Sequence, residues 1–325
     1  MRVGLDVMGG DFAPDATLAG AMLALKEMSP TDRICLIGDE GIIRSYLEKE
    51  NTDPSNFDIV HTTEVIEMGE HAIKAYTKKQ NSSIAVGFQL LKQNKIDAFA
   101  SAGNSGAMLV GSIYSANNIP GVIRPTTSTL IPQENGGISV LLDIGTNADV
   151  RADVMVQFAI IGTLYAKYTY GIDNPRVGLL NIGEEEEKGN LLSQSAFALL
   201  KNTETINFIG NIESRDMFKS KADVIVCDGF TGNVVLKLIE SMYRLIAKRN
   251  LLDEFLSRLN YEIYGGSPIL GVNGTVILGH GISNKIAIKN MLLLAREVHN
   301  TNLPDRIRHA FELIVETQSD KSETE

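Results

Sequence analysis

Apolar and polar positions follow a repeated three-part figure along this chain: a short apolar run, a polar turn bearing glycine, then apolar residues at helical spacing. "RVGLDV" runs into "MGGDFAPDATLAGAMLAL", "DAFA" into "SAGNSGAMLVGSIY", and "SVLLDI" into "GTNADVRADVMVQFAIIGTLY". "RVGLLNI" continues as "GEEEEKGNLLSQSAFALL", and "TVIL" as "GHGISNKIAIKNMLLLA". The tightest instance is "VIVCDGFTGNVVLKLIE", residues 224–240. There Val224 to Cys227 read as a buried strand and 228–233 as a turn with two glycines. Val235, Leu238, Ile239, Met242 and Ile246 then mark one face of a helix. Plainer units, "RICLIGDEGIIRSYL" and "INFIGNIESRDMF", lie between these.

Alternation of this kind predicts an α/β fold, a mostly parallel sheet with helices on both faces. A length of 325 residues suits one large unit or two lobes sharing a sheet. No Pro- or Ser-rich linker divides the chain, so residues 1–315 read as a single domain and 316–325 as a polar tail expected to fray. The polar turns fall at strand carboxyl ends, where open α/β sheets bind their ligands.

Charge and composition narrow the possibilities. Thirty basic residues against forty acidic ones leave a net charge of −10, which argues against broad nucleic-acid binding. Cys35 and Cys227 are the only cysteines, too few for a disulfide framework, and a reducing cytoplasm is the plain reading. "MRVGLDVMGG" contains no long apolar segment of the signal-peptide kind, and no apolar stretch is long enough to span a bilayer. The expectation is a cytoplasmic protein, at most attached to a membrane surface.

The turns carry the candidate chemistry. Helix N-termini present unpaired N–H groups and partial positive charge, and glycine lets backbone approach a ligand closely. Asp228, Gly229, Thr231, Gly232 and Asn233, with Lys237 one turn along, therefore suit a phosphate or a developing oxyanion. Helix capping by Thr231 or Asn233 is the structural alternative. "SAGNSGA" approaches the G-x-S-x-G nucleophile elbow, but Gly106 comes one residue too early. Asn104 and Ser105, between Gly103 and Gly106, read better as donors to phosphate or carbonyl oxygen, with capping again the alternative.

Asp143 and Asn147 follow the strand in "LLDIGTNAD". Asn181, Gly183 and Lys188 surround four consecutive glutamates, which read as a solvated helix start in preference to a metal site. His280 lies between two glycines, with Asn284 just beyond, and is placed either for ligand binding or proton transfer or for a structural role. Gly9, Gly10 and Asp11 complete the candidate substrate-binding set. The Asp6 and Asp11 carboxylates flank "MGG" as orienting groups, since they are ill-suited to face phosphate directly. Cys227 reads as strand packing, with no activating base beside it in sequence. There is no G-x-x-x-x-G-K-[ST], no G-x-G-x-x-G and no metal-ligand spacing, so neither a cofactor nor a metal is expected.

Together these turns resemble those of the PlsX phosphate acyltransferases, the acyl-acyl-carrier-protein:phosphate acyltransferases. The matching segments are "GLDVMGGDFAPD", "VIEMGEHAIKA", "KKQNSSIAVG", "DAFASAGNSGAML", "VLLDIGTNAD", "VGLLNIGEEEEKGN", "VCDGFTGNVVLK" and "GVNGTVILGHGISNKIAIKN", in order along nearly the whole chain. Ser105 and Thr146 depart from the Thr and Ala expected there; Ser105 keeps the hydroxyl. The resemblance implies transfer of a long-chain fatty acyl group from acyl carrier protein to inorganic phosphate, yielding acyl phosphate for phospholipid synthesis. It also implies a fold like isopropylmalate dehydrogenase and phosphotransacetylase, a homodimer, and peripheral contact with the inner face of the membrane. A membrane glycerol-3-phosphate acyltransferase would take the product onward. On this reading Asn104, Ser105, Thr231 and Asn233 are donors, and Lys188, Lys237 or His280 supplies charge or a proton.

Acyl carrier protein is acidic, so a basic face is expected to receive it. Lys74, Lys78 and Lys79 form one candidate; Arg244, Lys248, Arg249 and Arg258 form the favoured one. Helical spacing runs on through Leu251, Leu252, Phe255, Leu256 and Leu259, then into the glycine-broken "YEIYGGSPILGV". Periodicity alone makes this core; the resemblance makes it a dimer interface with a membrane-facing tip. The competing enzyme reading is a phosphotransacetylase acting on a coenzyme A thioester. A decarboxylating dehydrogenase and a non-enzymatic membrane-surface scaffold fit less well.

Overall fold

In "RICLIG" every residue from Ile34 to Gly38 is buried, the signature of a strand covered on both faces. The computed structural model, which describes residues 1–322, builds this principle twice. One unit comprises Met1–Asn118 with Tyr261–Asn300, the other Ile119–Asn260 with the segment from Thr301 onward.

The first unit contains β1 (Arg2–Asp6), α1 (Asp15–Leu25), β2 (Arg33–Gly38), α2 (Glu40–Lys49), β3 (Phe57–His61), α3 (Ala72–Lys78), α4 (Ser83–Lys92), β4 (Ala98–Ser101) and α5 (Ser105–Gly111). Its strands lie in the order β3-β2-β1-β4 and then two from the later segment. Cys35 and Ile37 of β2 join Ile84, Phe88, Phe99 and Ala107 in one apolar cluster. Ile34 and Leu36, one residue out of step, point to the opposite face, and α1 and α2 contact β1 and β2.

The second unit contains β5 (Thr126–Pro132), β6 (Ile138–Leu142), α6 (Ala152–Tyr170), β7 (Arg176–Asn181), α7 (Leu191–Lys201), β8 (Asn207–Glu213), β9 (Val224–Val226), α8 (Gly229–Lys248) and α9 (Glu254–Ser257). The order is β5-β6-β9-β7-β8, parallel except for β5 against β6. Leu141, Leu180, Ile212 and Ile225 meet Val235, Leu236 and Ile239 of α8 on one face. Leu142 and Val224 meet α6 at Gly162 on the other. Later segments complete both units. α10 (Tyr261–Tyr264), β10 (Ser267–Leu270), β11 (Thr275–Leu278) and α11 (Lys285–Asn300) return to the first, where β11 runs parallel to β4 and β10 antiparallel to β11. α12 (Leu303–Ser322) packs on α6 in the second.

Two expectations change. The spacing through Leu259 is not one helix: α8 ends at Lys248, Asn250 adopts a left-handed φ of 57°, and α9 restarts behind the Asp253 cap. The tail expected over 316–325 is entered by α12 as far as Ser322, and residues 323–325 lie outside the described residues. Among the described residues no helix is long and apolar enough to cross a membrane.

Phe88 is fully buried and packs edge-to-face on Tyr76 and Phe99, with ring centroids 6.2 and 5.1 Å away. Phe88→Ala is expected to cost about 3–5 kcal/mol in urea unfolding. A loss below about 1 kcal/mol would mean that the cluster does not depend on this ring.

Candidate functional site

In the first unit the polar turns are organised by Asp6, fully buried at the end of β1. Its Oδ2 accepts the Ser101 hydroxyl at 2.7 Å and its Oδ1 the Met8 N–H at 3.1 Å. Ser101 Oγ in turn accepts the Gly103 N–H at 2.9 Å, so one carboxylate joins the turns after β1 and β4. Burial pushes the Asp6 carboxyl above its ordinary value, while hydrogen bonds from Ser101, Ser83, Met8 and Gly9 pull it back. The two turns touch so closely at Gly9 that a Cβ there would collide with Asp6 Oδ2 and lie 2.8 Å from the Gly103 nitrogen. Beyond it Gly10 takes a φ of 110°, and the Asp11 N–H donates to the Gly281 carbonyl at 2.8 Å. The turn after β11 is thereby joined to the turn after β1. The Asp11 side chain itself is exposed.

Asn104 sits differently from its expected role as a ligand donor. Its Oδ1 accepts the Ala107 N–H at 2.9 Å and caps α5, while Nδ2 donates to the carbonyls of Glu67, Met68 and Glu70 at 3.0, 3.2 and 3.0 Å. Two amide hydrogens shared among three carbonyls are committed, so Asn104 holds the 67–70 loop in place. Ser105 is exposed and Gly106 half-buried at the start of α5. His280 is half-buried, its ring 5.2 Å from that of Tyr261, and its Nδ1 accepts the Ile282 N–H at 3.4 Å. Asn284 Oδ1 accepts the Ile286 and Ala287 N–H groups at 2.9 and 3.1 Å, which makes that oxygen the cap of α11.

In the second unit the corresponding carboxylate is Asp143, fully buried just after β6. Oδ1 accepts from the N–H groups of Gly145 and Thr146 and from Thr127 Oγ1, at 3.1, 3.0 and 3.2 Å. Oδ2 accepts from Asn147 N and Nδ2 at 2.8 and 2.7 Å. Asn147 Nδ2 also reaches the Pro125 carbonyl at 2.7 Å, so its amide is spent inside the protein and is not available to a substrate. The Asn147 carbonyl receives the Gly229 N–H at 2.8 Å and anchors the first turn of α8.

That first turn is capped by Asp228, and by neither Thr231 nor Asn233. Asp228 Oδ1 accepts the Thr231 N–H at 2.9 Å and Oδ2 the Thr231 hydroxyl at 2.7 Å. Thr231 thus spends its hydroxyl hydrogen on the cap. The Phe230 N–H has no acceptor among the described residues, and Phe230 is 66% exposed. Asn233 is exposed and gives one hydrogen bond from Nδ2 to the Ile144 carbonyl at 3.1 Å, leaving its second amide hydrogen to point elsewhere. Lys237 Nζ lies 2.9 Å from Glu240 Oε2. Cys227 is buried beneath the turn; burial, and then the neighbouring Asp228 and Asp143 carboxylates, push its thiol well up, which suits packing and not nucleophilic attack.

The acidic run is a loop, not the start of a helix. α7 begins at Leu191 behind an Asn190 cap, Glu184 pairs with Lys221, and Glu186 pairs with Lys201. Asn181 Nδ2 bonds the Lys188 carbonyl at 3.1 Å and Asn211 Oδ1 at 3.0 Å, while Lys188 is exposed with its aliphatic stem over Gly183. No three His, Cys, Asp or Glu side chains are grouped as metal ligands among the described residues.

Residues 1–306 match the model of a family described as fatty acid synthesis protein. A phosphate acyltransferase of Dictyoglomus thermophilum is 43% identical over 317 residues, covering 92% of this chain and 94% of that protein. A phosphate acyltransferase of Halothermothrix orenii is 42% identical over 328 residues, covering 95% and 98%. The chain belongs to the phosphate acyltransferase family. Its fold is that of a phosphotransacetylase from Streptococcus pyogenes, with a TM-score of 0.67 at 16% identity over 92% of this chain and 94% of that one. A branched-chain phosphotransacylase from Enterococcus faecalis gives 0.61 at 13% identity, over 92% and 99%.

Thr146 has a local partner: its hydroxyl lies 2.8 Å from that of Thr127, itself bonded to Asp143. Nothing along the sequence marks Ser83, Ser101 or Thr127. Each is an ordinary hydroxyl along the sequence, and its carboxylate partner is remote along the chain. Gly232 supplies the test of the second turn, because a Cβ there would collide with the Asp143 carbonyl. Gly→Ala in an exposed helix interior gains roughly 1 kcal/mol. Gly232→Ala is expected to reverse that sign, losing about 1–3 kcal/mol by thermal melting. A stabilised variant would show that α8 can move off β6 at little cost.

Proposed function

We propose that this protein transfers a fatty acyl group from the thioester of acyl carrier protein to inorganic phosphate, forming acyl phosphate and free carrier thiol. The observation that carries the reading is 43% identity to a phosphate acyltransferase across 92% of the chain. A phosphate oxygen attacks the thioester carbonyl carbon, the C–S bond breaks, and the departing thiolate takes up a proton. Phosphate is already an anionic nucleophile, so the protein has to position it and to stabilise the tetrahedral oxyanion. The turn at 228–233 suits both needs. The Phe230 N–H and the second Asn233 amide hydrogen are its donors, at the positive end of a twenty-residue helix. The Ser105 hydroxyl is the corresponding donor of the turn after β4. Lys188, Lys237 and His280 are the candidates for charge compensation or for protonating the leaving sulfur.

The chemistry separates from that of a phosphotransacetylase by the thioester it accepts. With phosphate and palmitoyl-carrier protein, palmitoyl-coenzyme A or no thioester, acyl phosphate is expected chiefly from the carrier-protein substrate. Asn233→Ala should lower turnover on the order of 10²-fold with an unchanged melting temperature; near-normal turnover would remove this turn from the reaction.

The favoured basic face for carrier protein loses Arg258 and keeps Arg244, Lys248 and Arg249, all exposed along the last turns of α8. Arg258 donates to the carbonyls of Gln133 and Gly137 and is turned to the protein itself, while Arg244 pairs with Glu240 at 3.6 Å and keeps its side chain exposed. The outer face of α8 exposes Phe230, Val234, Leu238, Met242 and Leu245, with Leu251 and Leu252 beyond. A continuous apolar stripe of this length supports the homodimer and the membrane-facing tip, with a membrane glycerol-3-phosphate acyltransferase as recipient of the product. Leu238→Glu with Leu245→Glu is expected to yield monomers by light scattering, and Leu251→Glu with Leu252→Glu to abolish flotation with anionic vesicles. A dimer and flotation that survive both pairs would dismiss this surface.

A further inference from the structure

Asp143 accepts five hydrogen bonds and is completely buried, and only one of its donors, the Thr127 hydroxyl, comes from a strand residue. Three are successive backbone N–H groups of residues 145–147, so the carboxylate winds the segment after β6 around itself. The fourth and fifth, from Thr127 and the Asn147 amide, tie that wound segment to β5 and to the Pro125 carbonyl. The Asn147 carbonyl then has one direction left to face, and it receives the Gly229 N–H. Gly229 is the first residue of α8, and the next N–H is that of Phe230.

We propose that Asp143 and Asn147 are positioning residues for acyl transfer, a rigid strut that sets where the first N–H groups of α8 point. The inference rests on the reading that the 228–233 turn serves the reaction. Neither side chain touches substrate. The Gly229 N–H is spent on Asn147 while the adjacent Phe230 N–H has no acceptor among the described residues, and rotation of that turn by a fraction of a residue would redirect it.

The strut explains the residue types. An amide at position 143 would turn an NH2 group toward at least two N–H or O–H donors whichever way it sat, because both oxygens accept. At position 147 both the side-chain donors and the backbone carbonyl are used, and alanine keeps only the carbonyl.

The test pairs Asn147→Ala and Asp143→Asn with Asn233→Ala in the intact protein. It reads turnover, the phosphate and carrier-protein KM values, and hydrogen exchange of the Gly229 and Phe230 amides. For Asn147→Ala, kcat is expected to fall on the order of 10²-fold, with the carrier-protein KM unchanged and Gly229 exchange accelerated at least tenfold. Asp143→Asn should do the same where it folds; if it does not fold, Asn147→Ala alone decides. Unchanged Gly229 exchange in folded Asn147→Ala overturns the strut. Wild-type kcat in Asn147→Ala beside a slow Asn233→Ala overturns its role in the reaction while the turn itself stands. Wild-type kcat in both variants instead removes the 228–233 turn from the chemistry, and the inference with it.

Discussion

A carboxylate taken wholly out of water has to be satisfied by hydrogen-bond donors, and this protein does so at the carboxyl end of a strand in each of its units. Asp6 and Asp143 are both fully buried, and both collect their donors from adjoining turns and from a hydroxyl of another strand, not from their own strands. Removing water raises the strength of every hydrogen bond made to them, but it also penalises any arrangement in which one is missing. Each aspartate thereby converts a flexible glycine-bearing loop into a fixed one. Asp6 does it through Ser101 and the backbone beyond, Asp143 through Asn147 and the backbone of α8.

The solutions differ in which donors hold the carboxyl group. Asp6 has its carboxyl pushed up by burial against the pull of two serines and two backbone groups. Asp143 is wrapped by three consecutive N–H groups, a threonine hydroxyl and an amide, an arrangement that turns local backbone dipoles onto one ion. Both carboxyl groups are engaged internally, so neither of these two aspartates faces an anionic substrate. Apart from the exposed Asp11 side chain, the polar groups these turns leave for a ligand are an N–H at Phe230, an amide hydrogen at Asn233 and a hydroxyl at Ser105. For an enzyme that brings phosphate to a carbonyl carbon, that division of labour matters more than any single donor.

The strand-turn-helix figures were legible because apolar period and glycine placement are local properties, and β1, β4, β6, β7, β9 and β11 lie where those figures put them. β5 was not, since "TTSTLIP" buries Thr126, Thr127 and Ser128 beside Asp143 and so breaks the apolar pattern that announces a core strand. The glycines at 9, 229 and 232 could be read as close approaches, but what they approach is set by pairing across the sheet. Which donors are already committed was hidden in the same way. Asn104 and Asn147 have the right chemistry at the right distance along the chain, and only long-range contacts reveal that their hydrogens are already used, whereas Thr231 spends its hydroxyl locally on Asp228. The break between α8 and α9 was hidden as well, because apolar spacing continues across Asn250, whose left-handed backbone ends the helix.

α8 shows how one element comes to serve several demands at once. Its inner face supplies Val235, Leu236 and Ile239 to the core of the second unit, which holds the helix against β6 and β9. Its N-terminus is pinned by Asn147 and Asp228 and carries the candidate oxyanion donors. Its outer face is apolar along most of its length, from Phe230 to Leu245. A helix apolar on both sides gains nothing from water on the outer one, so whatever covers that face also bears on the rigidity of the turn at its head. Phe230 belongs to both: its side chain opens the exposed stripe and its N–H is the unpaired donor of the first turn. Covering the stripe would exclude water from that donor and strengthen its hydrogen bond to an oxyanion, coupling assembly to chemistry through a single residue.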